Sequence, residues 1–288
     1  MVDADALSHA LDRVWHSAGA DKGMDALNCV RLHSLGDTGL MAEAMNGYQY
    51  QNAVVARSVE ASAGWSNALP LEGILLRRAD ASRLVTVLRS GFLGDTVLAH
   101  VVMKERAGKP SRPDDGDVAE QVPALIPSRL FLCGTKGTIS FVLPAYCYPN
   151  TALFLDKLRD AKNTLTASAG ELCSALRLLA VLTSSANRAV YIDLAPEEAV
   201  LSVTSCDLSG SFALDADCQG PLKRIAFPLS NLLTLARRFK KDEHLLFTML
   251  SDEGPCLITG DQHPAEGTVI MPMKILDDDF RREVAHAG

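Results

Sequence analysis

No stretch of the chain approaches the ~18 uninterrupted apolar residues of a membrane span. Residues 1–19 carry neither a basic head nor an apolar run, so they do not read as a signal peptide. The seven cysteines, at 29, 133, 147, 173, 206, 218 and 256, include no C-x-x-C pair, and their number is odd. That pattern argues against a disulfide framework or a zinc knuckle and suits a reducing, cytoplasmic setting. An excess of basic charge is also missing. The net charge is -7, which excludes binding nucleic acid by overall positive charge but leaves a local basic face possible.

Catalytic signatures are absent as well. There is no G-x-G-x-x-G, no Walker A and no G-x-S-x-G elbow. Gly134-Thr-Lys-Gly137 lacks the G-K-[ST] ending of a phosphate loop and falls in an expected hairpin. The histidines at 9, 16, 33, 100, 244, 263 and 286 are isolated. His9 and His16 share a helix but lie further apart than the i, i+4 spacing of a metal pair. Asp114, Asp115 and Asp117 sit in a Pro/Gly/Asp-rich stretch, residues 106–127, and lack the distal Glu of a calcium loop. The expectation is a protein with no catalytic residues, no metal and no cofactor, and not an enzyme.

What is present is a well-stocked core. Hydrophobic residues make up 48% and charged residues 22%, as in a globular protein of one large or two ordinary domains. Leu7, Ala10, Leu11, Val14 and Trp15 recur at helical spacing. Strands are expected at 27–33, 39–45 and 48–59, with Asn46-Gly47 as a tight turn, and at 73–77. A helix follows over 80–89, capped by Asp80, with Leu84, Val87 and Leu88 inward. Strands resume at 96–105, 129–133 and 138–143. The second half repeats this order. A helix at 171–182 turns Leu172, Ala175, Leu176 and Leu179 inward. Strands follow at 189–194, 199–206 and 223–227, then a helix at 228–241, then strands at 245–250, 256–259 and 268–275.

The repeat also shows in residues. LxxAL occurs at 7–11 and 172–176. Leu40-Met-Ala-Glu-Ala-Met-Asn46 parallels Leu201-Ser-Val-Thr-Ser-Cys-Asp207, and Ser82-Arg-Leu-Val-Thr86 parallels Ser230-Asn-Leu-Leu-Thr234. Two copies of helix–strands–helix–strands imply two α+β domains of one fold, each with two helices on antiparallel sheets, meeting near 146–150.

Three motifs give these copies a family likeness. Ala44-Met-Asn-Gly-Tyr-Gln-Tyr50 resembles Ala-Thr-Asp-Gly-His-Arg-Leu in the second domain of the bacterial DNA sliding clamp, the β subunit of DNA polymerase III. Gly137-Thr-Ile-Ser-Phe-Val-Leu143 with Tyr148-Pro-Asn150 is similar to the end of that domain. Val269-Ile-Met-Pro-Met-Lys274 is similar to the family's terminal Val-Val-Met-Pro-Met-Arg. The resemblance implies clamp domains at 1–147 and 148–276, matching the family's second and third, and a tail at 277–288.

By the same resemblance, such domains close six at a time into a ring around duplex DNA, so chains of two domains would make a homotrimer. The implied role is a processivity factor for DNA replication that tethers polymerase or repair proteins. The alternative is a clamp-derived adaptor that binds partner peptides and closes no ring.

The DNA-facing residues implied are Arg13, Arg77, Arg78, Arg83 and Arg89 in the first copy. In the second they are Arg177, Arg237, Arg238, Lys240 and Lys241. Partners' short peptides would enter a pocket between the domains. It maps to Gly47, Tyr48, Gln49 and Tyr50, with Asn231, Val269, Ile270, Met271, Pro272 and Met273. The family's His-Arg-Leu is Tyr-Gln-Tyr here, which removes a cation and adds aromatic bulk that could anchor a partner. Proline and methionines in a last strand suit an edge that docks apolar partners. Leu276 and Phe280 give the tail apolar groups with which to fold back on that pocket.

Overall fold

A computed structural model describes residues 1–36, 39–56, 69–70, 72–105, 125–183, 189–204 and 208–275. The acidic cluster at 114–117 and the tail from 276, with its fold-back, lie outside these residues. The chain divides into two compact units, Met1–Pro149 and Asn150–Gly288.

In the first unit, β1 (Val2–Asp3) leads into α1 (Ala4–Val14). The Asp3 carboxylate caps that helix by accepting from the Ala6 N–H at 2.7 Å. The strands β2 (Cys29–Ser34), β3 (Gly39–Met45), β4 (Gln49–Ala56) and β5 (Ile74–Arg77) form a sheet in the order β4-β3-β2-β5. Helix α2 (Arg78–Arg89) follows, then β6 (Thr96–Glu105), β7 (Leu125–Cys133) and β8 (Thr138–Val142) in the order β1-β6-β7-β8. All pairings are antiparallel. Leu7, Leu11 and Val14 of α1 pack with Ala81, Leu84 and Leu88 of α2 and the inward residues of both sheets. Each such leucine or valine contributes about 1.5–3 kcal/mol through burial.

Asp80 does not cap α2. The helix starts two residues earlier, directly from β5, and the Arg78 N–H donates to the Asn28 carbonyl at 2.9 Å. The N-cap position falls on Arg77, whose side chain offers no acceptor, so α2 has no side-chain cap and Asp80 sits in the first turn and pairs with Arg83.

The second unit opens with a helix absent from the sequence reading, α3 (Ala152–Arg159). It continues with β9 (Asn163–Ser168) and α4 (Ala169–Ala180), capped by Ser168. Next come β10 (Ala189–Ala195), β11 (Glu198–Thr204), β12 (Ser209–Gln219), β13 (Arg224–Pro228) and α5 (Leu229–Ala236). The strands β14 (His244–Met249), β15 (Cys256–Gly260) and β16 (His263–Ile270) finish it. The order is β13-β10-β11-β12-β9-β14-β15-β16. Strand β12 joins the halves: residues 209–215 pair with β11 and residues 216–219 with β9. Helices α4 and α5 pack over a core that includes Leu172, Leu176, Val190, Ile192, Phe227 and Phe247.

Apart from α3, the two units share one topology, with a helix pair on antiparallel sheets. Two expected elements end well short of their expected bounds. Helix α5 stops at Ala236, so Arg237–Lys241 form a turn, not the helix end. Strand β16 stops at Ile270, and residues 271–275 leave it as an irregular segment. Pro272 has no N–H to give a ladder, which fits that exit.

Candidate functional site

The Asn46–Tyr50 turn of the first unit joins β3 to β4. Gly47 takes a φ of 88°, the left-handed region glycine tolerates. The Asn46 side-chain oxygen accepts from the N–H groups of Tyr48 and Gln49, both at 3.0 Å, and fixes the turn. Tyr48 at its tip is 72% exposed, while Tyr50 is 2% exposed. The two tyrosines therefore differ. Tyr48 offers an aromatic surface, and Tyr50 is enclosed.

The partner of Tyr50 is a buried carboxylate. Strand alternation puts Arg31, His33, Glu43 and Tyr50 on one face of β2-β3-β4, opposite the helices. Glu43 is fully buried. One carboxylate oxygen accepts from Arg31 Nη1 at 3.0 Å and lies 3.7 Å from His33 Nε2. The other accepts from the Tyr50 hydroxyl at 2.8 Å. Arg31 also donates from Nε to the Glu72 carbonyl at 2.9 Å and lies 5.8 Å over the Tyr148 ring. Burial holds the His33 imidazole below its ordinary value, against the pull of Glu43, which leaves it neutral near pH 7. Burial and the Glu43 charge push the Tyr148 phenol well above its usual range. Sequence reasoning missed Arg31, His33 and Glu43. Alternation along β2 puts Arg31 and His33 on one face, but their meeting with Glu43 depends on the β2–β3 register.

In the second unit, Val269 and Ile270 are buried, at 4% and 2% exposure, and Ile270 belongs to the main core. Met271, Pro272 and Met273 are half-buried. The Met273 N–H donates to the Ala226 carbonyl at 2.7 Å. Its side chain and Ile275 pack on a small cluster of Ala189, Tyr191 and Ala226. The Met-Pro-Met segment is thus a strap tied along β13. Asn231, in the first turn of α5, is half-buried.

The basic residues fall into three groups. Arg89 is held at 2.7 Å by Asp12 of α1, and Arg83 at 3.2 Å by Asp80. Arg78 lies 5.7 Å over the Trp15 ring, and Arg13 and Arg238 are half-buried. Arg77, Arg177, Arg237, Lys240 and Lys241 are exposed, with no carboxylate partner recorded among the described residues; Lys240 donates to Gln262 at 3.2 Å. For Asp12, burial works to raise the carboxyl, but hydrogen bonds from Arg89 and Trp15 outweigh it and hold it below its usual range.

Among the described residues, no three His, Cys, Asp or Glu side chains gather as metal ligands, and no helix is long and apolar enough to cross a membrane. Burial pushes the Cys29 thiol up to about 11 and raises Cys218, so neither is a ready thiolate.

No protein-family description matches the chain, and no curated protein sequence does. Solved structures do match. The DNA polymerase sliding clamp of Caulobacter crescentus superposes with a TM-score of 0.73 at 17% identity, over 95% of this chain and 65% of that one. The DNA polymerase III β subunit of Thermotoga maritima gives 0.70 at 17% identity, over 96% and 65%. The sliding clamp of Pseudomonas aeruginosa gives 0.71 at 14% identity, over 95% and 65%. At such identities the likeness is one of fold. The chain has the α+β fold of bacterial sliding clamps and spans 65% of the length of these structures.

Proposed function

We propose that this chain, with its sliding-clamp fold, is a processivity factor: copies close into a ring around duplex DNA and tether a polymerase or repair protein by a short peptide. One observation carries the reading. The likeness to clamps runs through both units, over 95% of the chain, and each unit has the same helix pair on the same strand order. In this reading the helix side of each unit faces DNA. Arg77, Arg177, Arg237, Lys240 and Lys241 supply exposed cations for phosphates, with no base reading required.

Ring closure needs complementary ends, and each unit has an open sheet edge. Strand β8 ends the second sheet of the first unit. In the second unit, residues 209–215 of β12 pair with β11 alone. Leu182, after α4, closes on Gly210 of β12, and near it Leu178, Val181 and Leu208 are 61%, 79% and 54% exposed. Open edges flanked by exposed apolar side chains suit heterologous contacts that close a ring. With two domains per copy, six domains make a homotrimer.

Peptide docking is assigned to the Gly47–Tyr50 turn of the first unit and to Asn231 with Val269–Met273 of the second. The ring is tested by retention. Protein assembled on circular duplex DNA should stay bound through a high-salt wash and run off once the DNA is cut. Loss at equal rates from both forms would defeat the ring. Neutralising Arg237, Arg238, Lys240 and Lys241 should weaken DNA binding and flatten its salt dependence.

A second reading is an adaptor that docks peptides without encircling DNA. It is favoured by the charge of the helices. Asp5 and Asp12 lie on α1, and Arg83 and Arg89 are already paired with carboxylates.

A further inference from the structure

We propose that Glu243 is a positioning residue for DNA contact by the second unit. Its buried carboxylate holds the Arg237–Lys241 turn in the shape that offers Arg237, Lys240 and Lys241 to phosphates. The inference rests on the DNA-facing reading above and names the group on which that contact depends.

The turn leaves α5 at Ala236 and reaches β14 at His244. Glu243 closes it from two sides. Its N–H donates to the Lys240 carbonyl at 3.1 Å, and its carboxylate Oε2 accepts from the Lys240 N–H at 3.2 Å. The Glu243 carbonyl accepts from the Ala169 N–H at 2.9 Å, and the Lys241 carbonyl from the Gly170 N–H at 3.2 Å. The turn is thereby tied to the start of α4. Glu243 is 2% exposed, while Arg237, Lys240, Lys241 and Asp242 are all exposed. Burying a carboxylate costs hydration, and the hydrogen bond from the Lys240 backbone helps to offset that cost.

Gly260 makes the room for this side chain. A Cβ there would overlap Glu243 Oε1 and press on the Phe239 ring. Gly260 does not take a positive φ, so a larger residue would lose space and not backbone freedom. On the hairpin that follows, Gln262 Oε1 accepts from the Lys240 ammonium at 3.2 Å and Asp261 Oδ1 from the His244 N–H at 3.2 Å. A turn without the Glu243 bond would have to be ordered when DNA binds, and that ordering weakens binding. The number of cations would not change. The signature is a lower affinity at an unchanged salt slope, whereas neutralising a cation lowers the slope itself.

The test is fluorescence anisotropy of the full chain with a labelled duplex DNA over a range of KCl concentrations. Glu243→Gln keeps an acceptor for the Lys240 N–H, and Glu243→Met keeps the length without one. Both remove the charge, so their difference isolates the hydrogen bond. Glu243→Gln should bind no more weakly than the native chain. Glu243→Met should bind about three- to tenfold more weakly than Glu243→Gln at the same salt slope. Gly260→Ala keeps the charge but displaces the carboxylate. It should show a similar loss, and it serves if Glu243→Met does not fold. Lys240→Gln with Lys241→Gln reads the underlying contact and should lower the slope. If that slope falls but folded Glu243→Met binds like Glu243→Gln, or folded Gly260→Ala binds like the native chain, the proposal is overturned and the DNA-facing reading stands. If the lysine variant changes neither affinity nor slope, the turn does not touch DNA and the proposal fails with that reading.

Discussion

Replacing Arg31 with methionine removes the counter-ion of a buried carboxylate while keeping most of the side chain's bulk. Glu43 loses its 3.0 Å counter-ion and keeps the Tyr50 hydroxyl at 2.8 Å, while His33 at 3.7 Å is held neutral by burial. Removing one partner of a buried pair typically costs about 3–5 kcal/mol. The Arg31 side chain is 18% exposed, so solvent already screens part of the pair, and about 3 kcal/mol is expected. Removing Glu43 as well, as Arg31→Met with Glu43→Leu, should recover much of that, because no charge is left buried. The Tyr50 hydroxyl then loses the Glu43 carboxylate as an acceptor, at about 1 kcal/mol. Adding Tyr50→Phe should bring the triple variant close to the native chain. Urea unfolding followed by tryptophan fluorescence measures this selectively, because both tryptophans, at 15 and 65, belong to the first unit. A triple variant as unstable as Arg31→Met, or a single variant within about 0.5 kcal/mol of native, would refute the reasoning.

Other outcomes follow from the same structure. The imidazole of His33 is lower in the fold than its ordinary 6.5, so the unfolded chain binds more protons just below that pH. The first unit should be fully stabilised above about pH 6.5 and lose stability as pH falls through the lowered value, and His33→Gln should flatten that slope in urea titrations between pH 7 and 5. Gly73 has a φ of 78°, and a side chain there would meet the Leu32 carbonyl at 2.5 Å, so Gly73→Ala should destabilise the first unit by about 2 kcal/mol. Val181→Asp, at a position 79% exposed, should leave thermal stability nearly unchanged but weaken self-association, read as a shift to smaller species in sedimentation velocity.

Much of the fold was legible because burial imposes periodicity. Leu172, Ala175, Leu176 and Leu179 were assigned inward from spacing, and all are buried. Strand β3 spans 39–45 as expected, because Gly39 and the Asn46-Gly47 turn bracket it. Helix α3 and strands β1, β9 and β12 were missed. Their residues show weaker periodicity, and the packing of α3 against β14 and β15 is tertiary. Helix α5 was drawn too long because Arg237–Lys241 are good helix formers. Buried Leu229, Leu232, Leu233, Leu235 and Ala236 hold its two turns, and Arg237, Lys240 and Lys241 beyond it are exposed. The Met-Pro-Met segment was read as part of the last strand, which in fact ends at Ile270. Its tie to Ala226 depends on a strand distant in sequence. The Glu43 cluster needed the β2–β3 register, because Arg31 and Glu43 meet only when those strands pair.

The mass of the protein in solution tests the central claim most directly. Multi-angle light scattering across micromolar concentrations should give a stable species of three copies of the 30.9 kDa chain. A single 30.9 kDa species over that whole range would contradict the ring and leave the adaptor.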